Sequence, residues 1–164
     1  MSEKEETYLL SAEIKKQIDQ WLTKYPDEQR QSGVLQALHF VQDAEGWIST
    51  PMMDAIADHI GMPKIHVYEV ATFYGMYHLE PAGKNKIYLC TNISCDLCGF
   101  QEIRDHIQKK LEIGFGETTK DGKFSLHAVE CLAACRNAPA MQVNKDYFEN
   151  LTPEKINQVL DSLE

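Results

Sequence analysis

The chain has 164 residues, 43 % of them apolar and 25 % charged, which fits one globular domain or a little more and excludes a fibrous or disordered chain. Its net charge of −9 repels phosphate backbones and argues against a nucleic-acid partner. No run of about 18 apolar residues exists to cross a membrane, so a cytoplasmic protein without direct membrane insertion is expected.

The first residues, Met1 to Glu6, are acidic and polar, unlike a secretory signal or an Arg-rich transit peptide. Residues 11–25 then place Ile14, Ile18, Trp21 or Leu22, and Tyr25 at helical spacing, with Ser11 as cap and Pro26 as stop. A second helix is expected from Asp27 to Asp43, carrying Val34, Leu38 and Val41 on one face up to Gly46. Thr50-Pro51 starts a third, with Thr50 as cap, Met53, Ile56, Ala57 and Ile60 as its stripe, and Gly61 as its close. Pro63 opens a fourth, whose inner face is Val67, Val70, Ala71 and Tyr74. These elements make residues 1–80 a helical bundle with no evident chemistry.

The pattern changes at Pro81-Ala82-Gly83. A buried strand is expected at Ile87–Cys90, then a polar loop, then a helix from Gly99 to Leu111 with Phe100, Ile103, Ile107 and Leu111 inward. Asp121-Gly122 turns the chain into an alternating strand from Phe124 to Cys131. A strand at Ala140–Val143 returns through Asn144-Lys145-Asp146 to Tyr147-Phe148, and Thr152-Pro153 begins a last helix. Residues 81–164 therefore read as a β-α-β-β-(β)-α domain. The two regions also differ in charge: 6 basic and 13 acidic residues in 1–80, against 10 and 12 in 81–164.

All five cysteines lie between 90 and 135: Cys90, Cys95, Cys98, Cys131 and Cys135. Such clustering in a cytoplasmic chain points to metal or redox chemistry, and an odd count leaves one thiol spare. Cys90-x4-Cys95 and Cys131-x3-Cys135 each begin at the end of an expected strand, so neighbouring strand ends could bring four thiolates together around an iron–sulfur cluster. On spacing alone other readings stay open. One is structural zinc, which favours tighter C-x2-C knuckles. Another is a dithiol site at Cys95-x2-Cys98. A third is a plant-type cluster arrangement using Cys90, Cys95, Cys98 and Cys131. The six histidines are scattered and suggest no site. No G-x-G-x-x-G or P-loop follows a strand, so nucleotide binding is not expected here.

Several segments resemble one family: Ala71-Thr72-Phe73-Tyr74, Leu89-Cys90-Thr91-Asn92-Ile93-Ser94-Cys95, Gly116-Glu117-Thr118-Thr119, Val129-Glu130-Cys131-Leu132-Ala133-Ala134-Cys135 and Ala138-Pro139. They are similar to the E-type subunit of bacterial NADH-quinone oxidoreductase (respiratory complex I), which also occurs in NAD-linked hydrogenases and formate dehydrogenases. The resemblance runs from about Ser11 to Leu163. It implies an α+β chain with an N-terminal helical bundle and a thioredoxin-like domain. That domain holds one [2Fe–2S] cluster on Cys90, Cys95, Cys131 and Cys135 and leaves Cys98 spare. NADH and FMN are implied on a partner, the flavin-carrying F-type subunit. The iron–sulfur G-type subunit is implied as a further neighbour, in the peripheral arm of a complex at the cytoplasmic membrane. The implied role is a one-electron carrier beside the flavin, with no complete active site on this chain. Two departures matter: the position commonly Gly after Cys-Leu is Ala133, a small residue that still allows close backbone approach to the cluster, and Cys98 is not part of the family's ligand set. Arg136, beside Cys135, would ease reduction if it faces the cluster; otherwise it meets solvent or a partner.

Overall fold

A computed structural model describes residues 10–163; the acidic N-terminal stretch lies outside them. The chain divides into two compact units, Met1–Pro81 and Ala82–Glu164.

The first unit is helical. Helix α1, Ala12–Leu22, starts where the Ser11 hydroxyl accepts the Ile14 N–H at 3.2 Å, and it buries Ile14, Ile18 and Leu22. It ends before Tyr25, because the chain tightens into turns at Lys24 and Tyr25. The expected second helix is split. Asp27–Gly33 is a 3-10 turn, and only Val34–Glu45 (α2) is α-helical. The reason is the polar run DEQRQSG, which has no apolar stripe to bury, and a close approach at Gly33. A Cβ there would meet Leu22 Cδ2 at 2.4 Å.

Helix α3, Thr50–Ile60, is capped by Ser49 rather than by Thr50. Ser49 is the residue in extended conformation, and its hydroxyl accepts the Met52 N–H at 3.4 Å. Helix α4, Lys64–Phe73, buries Val67 and Ala71. The spacing predicts Tyr74 on that inner face, but the backbone turns extended there and its side chain is exposed. The segment after α4 is tied back by Gln42 of α2, which donates to Met76 O at 2.9 Å and accepts the His78 N–H at 2.7 Å. Leu38, Val41, Ile48 and Ile56 are fully buried among these helices.

The second unit is a five-stranded sheet with helices. Its strands are β1 Asn85–Cys90, β2 Glu117–Thr118, β3 Phe124–Val129, β4 Met141–Val143 and β5 Asp146–Phe148, in the order β2-β3-β1-β4-β5. Only β1 and β3 are parallel. A parallel pair needs a crossover connection. Here it runs through α5, Ile93–Leu97, and α6, Phe100–Leu111. Helix α7, Pro153–Ser162, lies beside α6, joined by Lys110–Asp161 at 2.7 Å and His106–Asn157 at 3.0 Å. Ile103, Ile107, Ile156 and Leu160 from these helices share a core with Ile87, Leu89 and Leu126 of the sheet.

Three expectations are corrected here. Cys95 lies within the short helix α5, not in an open loop. Strand β2 has no counterpart among the expected elements. Strand β3 stops at Val129 instead of reaching Cys131, because the Val129 carbonyl takes the Thr91 N–H at 2.9 Å and the chain beyond leaves the ladder.

Candidate metal centre

The register of the two parallel strands builds the site. Cys90 stands opposite Val129, so β1 and β3 end at the same level and their outgoing loops open side by side. In sheets of this kind ligands gather at the carboxyl ends of parallel strands. One loop enters α5 and carries Cys95; the other carries Cys131 and Cys135. Cys90 and Cys95 are buried, whereas Cys131 and Cys135 are exposed.

The thiols act on one another. Cys90 shares hydrogen bonds with Cys95 and Cys131 and accepts the backbone N–H groups of Asn92 and Leu132. Burial opposes ionisation of Cys90, but these hydrogen bonds outweigh it and hold the thiol below the ordinary cysteine value. Cys95 goes the other way. Burial comes first among its causes, then its hydrogen bond to Cys90; the charges of Cys90 and Cys135 add to the rise. Cys90 and Cys95 titrate as a pair, with the negative charge favoured on Cys90. The Ala140 N–H also reaches Cys95, and the Ala133 N–H reaches the Cys131 Sγ at 3.2 Å. Among the described residues, no three His, Cys, Asp or Glu side chains are set as a ready-made shell for a single metal ion.

Cys98 stands apart. It is exposed at the C-terminal end of α5, where Gly99 turns the chain with φ +96° into α6. The dithiol reading needs a thiol activated at a helix N-terminus. Cys95 does lie in the first turn of α5, but burial pushes its thiol upward instead. Arg136 is exposed and forms no ion pair among the described residues.

Alanine itself gives no sign of the second loop's conformation. Ala133 has φ +58°, a left-handed geometry that costs a non-glycine residue about 1–2 kcal/mol. Glycine would adopt the same geometry at no such cost. Two of the histidines have structural partners here: His59 meets Asp19 at 2.9 Å, and His127 stacks on Tyr88 and meets Ser125 at 3.1 Å.

Comparison with known proteins adds the chemistry. Residues 18–164 match the family model of the thioredoxin-like [2Fe-2S] ferredoxins. A curated relative from Rickettsia bellii (strain RML369-C), the E-type subunit of NADH-quinone oxidoreductase, is 46 % identical over 143 residues, covering 87 % of this chain and 86 % of its own. A second relative of the same name, from Rhizobium meliloti (strain 1021), is 40 % identical over 149 residues, covering 91 % and 88 %. Among solved structures, an NAD+-reducing [NiFe]-hydrogenase in the H2-reduced state matches 80 % of this chain and 22 % of its own, with TM-score 0.70 and 19 % identity. This chain thus spans about a fifth of that one, and the likeness is one of fold.

Proposed function

The chain belongs to the thioredoxin-like [2Fe–2S] ferredoxin family, and from that premise we propose that Cys90, Cys95, Cys131 and Cys135 hold its one cluster, with Cys98 left free. The observation that carries this reading is the convergence of two cysteine pairs at the carboxyl ends of β1 and β3. The donor set fits the group: four thiols, two of them buried, with backbone N–H groups aimed at Cys90, Cys95 and Cys131. When bound, the cluster accepts and gives up one electron at a time. The protein supplies the rest. Buried Cys90 and Cys95 anchor the inner side away from water, and Cys131 and Cys135 close it from the exposed side. The N–H groups offset negative charge on the sulfurs.

The chain serves as an electron-carrier subunit of an NADH:quinone oxidoreductase. Relatives of that name at 40–46 % identity support this reading over nearly their whole length. No dinucleotide fingerprint occurs in the sequence, so NADH and FMN belong to a partner, the flavin-carrying F-type subunit, with the G-type iron–sulfur subunit as a second neighbour. Among the described residues no helix is long and apolar enough to cross a membrane, in keeping with a peripheral position. An equivalent place in an NAD-linked hydrogenase or formate dehydrogenase is the alternative.

The test is reduction of the loaded chain by NADH with and without the flavin-carrying partner. The cluster absorbance should bleach only when that partner is present. Bleaching by NADH in this chain alone would overturn the division of labour.

A further inference from the structure

The loop between Cys131 and Cys135 contains a backbone conformation that its sequence does not favour. Ala133 sits at φ +58°, and its N–H points at the Cys131 Sγ at 3.2 Å. These two facts are connected. The hydrogen bond fixes where the N–H of Ala133 lies. The rotation about the next bond, φ of Ala133, then decides where the chain goes. With a positive value the chain doubles back into the short 3-10 turn Cys135–Asn137, and the returning chain is held beside Cys90, whose N–H donates to the Ala140 carbonyl at 3.2 Å. With an ordinary negative value one of the two is lost: either the N–H swings away from Cys131, or Cys135 leaves the group.

We infer that Ala133 is a positioning residue of the centre: its left-handed backbone couples an N–H···S hydrogen bond on Cys131 to the return of Cys135, and that bond raises the reduction potential of the cluster. The physical reason is electrostatic. Reduction adds negative charge to a group of four thiolates, and an N–H dipole aimed at one sulfur favours the more negative state. This goes further than the assignment of Cys131 as a ligand and rests on it. Alanine is tolerated because its side chain is a single methyl, and Ala133 itself is exposed. A β-branched residue is a real outlier in the same region, whereas Gly and Asn accept it.

The experiment uses the full chain loaded with iron and sulfide, in four variants: Ala133→Gly, Ala133→Asn, Ala133→Val and Cys131→Ser. The readouts are the midpoint potential and the shift of the Fe–S stretching bands between H2O and D2O, which senses exchangeable N–H···S contacts. Gly and Asn should keep the wild-type potential and the D2O shift, and Gly should raise the melting temperature. Val should lower the potential, with a smaller D2O shift; a tenfold change in the reduction equilibrium reads as 59 mV. Loss of the cluster from a Val variant that is still folded by circular dichroism also supports positioning. A Val variant with wild-type potential and D2O shift overturns the inference. If Val does not fold, the Gly variant decides, since a shifted potential there would mean that the conformation is not what sets it. Cys131→Ser separates the two levels. An unchanged spectrum in that variant refutes the ligand assignment itself. Loss of the native spectrum there, beside an unaffected Val variant, refutes only the role of Ala133.

Discussion

Gly83 is pressed against the start of β3, and replacing it with alanine should loosen the platform of the metal centre. A Cβ at that position would lie 2.5 Å from the Phe124 carbonyl carbon, 2.7 Å from the Ser125 nitrogen and 2.9 Å from the Phe124 oxygen. All three are backbone atoms of a strand paired on both sides, so no side chain can swing away. Ordinary contact begins at 3.4 Å, so the two backbones must part by about 0.9 Å. The hydrogen bonds beside the contact resist this: Lys84 N to Gly122 O at 3.0 Å and Asn85 N to Lys123 O at 2.8 Å. Overpacking costs about 1–3 kcal/mol, and weakening these two hydrogen bonds, without losing either, adds about 1 kcal/mol between them. A loss of about 2–4 kcal/mol follows for Gly83→Ala. For a unit of this size each kcal/mol lowers Tm by about 4–8 °C, so a fall of at least about 8 °C is expected. Differential scanning calorimetry of the cluster-free chain measures it, and thermal bleaching of the loaded chain should fall in parallel. A melting temperature within a degree or two of wild type would refute the reasoning and mean that the contact relaxes freely.

Tyr68→Phe should destabilise the helical unit at neutral pH, with the deficit narrowing in acid. The Tyr68 hydroxyl donates to Asp54 and, with Lys64, holds that carboxyl below its usual value. A depressed carboxylate contributes stability above its unfolded value of 3.8 that is lost as pH falls through the lower folded value. Urea midpoints of both chains from pH 7 to pH 2 check this; a constant gap would contradict it. Residues 82–164 alone should still assemble the cluster, since all five cysteines and the whole sheet lie there. Iron and sulfide analysis of that fragment decides, and a folded but colourless fragment would contradict it.

Much of this architecture was legible because periodicity reports burial. The stripes Ile14/Ile18/Leu22 and Met53/Ile56/Ile60 mark helices whose inner faces the structure buries. The alternation of Phe124, Leu126 and Ala128 with Ser125 and His127 marks β3 as a strand but misplaces two residues, since the structure buries Ser125 and exposes Ala128. What stayed hidden has no burial to report. Helix α5 exposes Ile93 and Leu97 and buries only Cys95, so no apolar stripe announces it. Strand β2 is two exposed residues, Glu117 and Thr118, held at the sheet edge by pairing and by the Glu117 carboxylate, which accepts the Gly114 N–H at 2.6 Å. The site was legible in a similar way. Strand ends placed Cys90 and Cys131 together, but spacing could not choose between Cys98 and Cys135. Under the proposed ligand set that choice rests on two left-handed residues: Gly99, which follows exposed Cys98, and Ala133, which lies between Cys131 and Cys135. Alanine carries no sequence signal for such a conformation.

The measurement that tests the ligand set most directly is the spectrum and iron content of the full chain with Cys98→Ser and with Cys135→Ser, each loaded without air. Cys98→Ser should keep the visible spectrum, about two irons and about two acid-labile sulfides, since its thiol is exposed at the end of α5. Cys135→Ser should lose the cluster or shift its spectrum strongly, because an oxygen would replace a thiolate. The reverse pattern, with Cys98 required and Cys135 dispensable, would contradict the assignment and favour the plant-type arrangement.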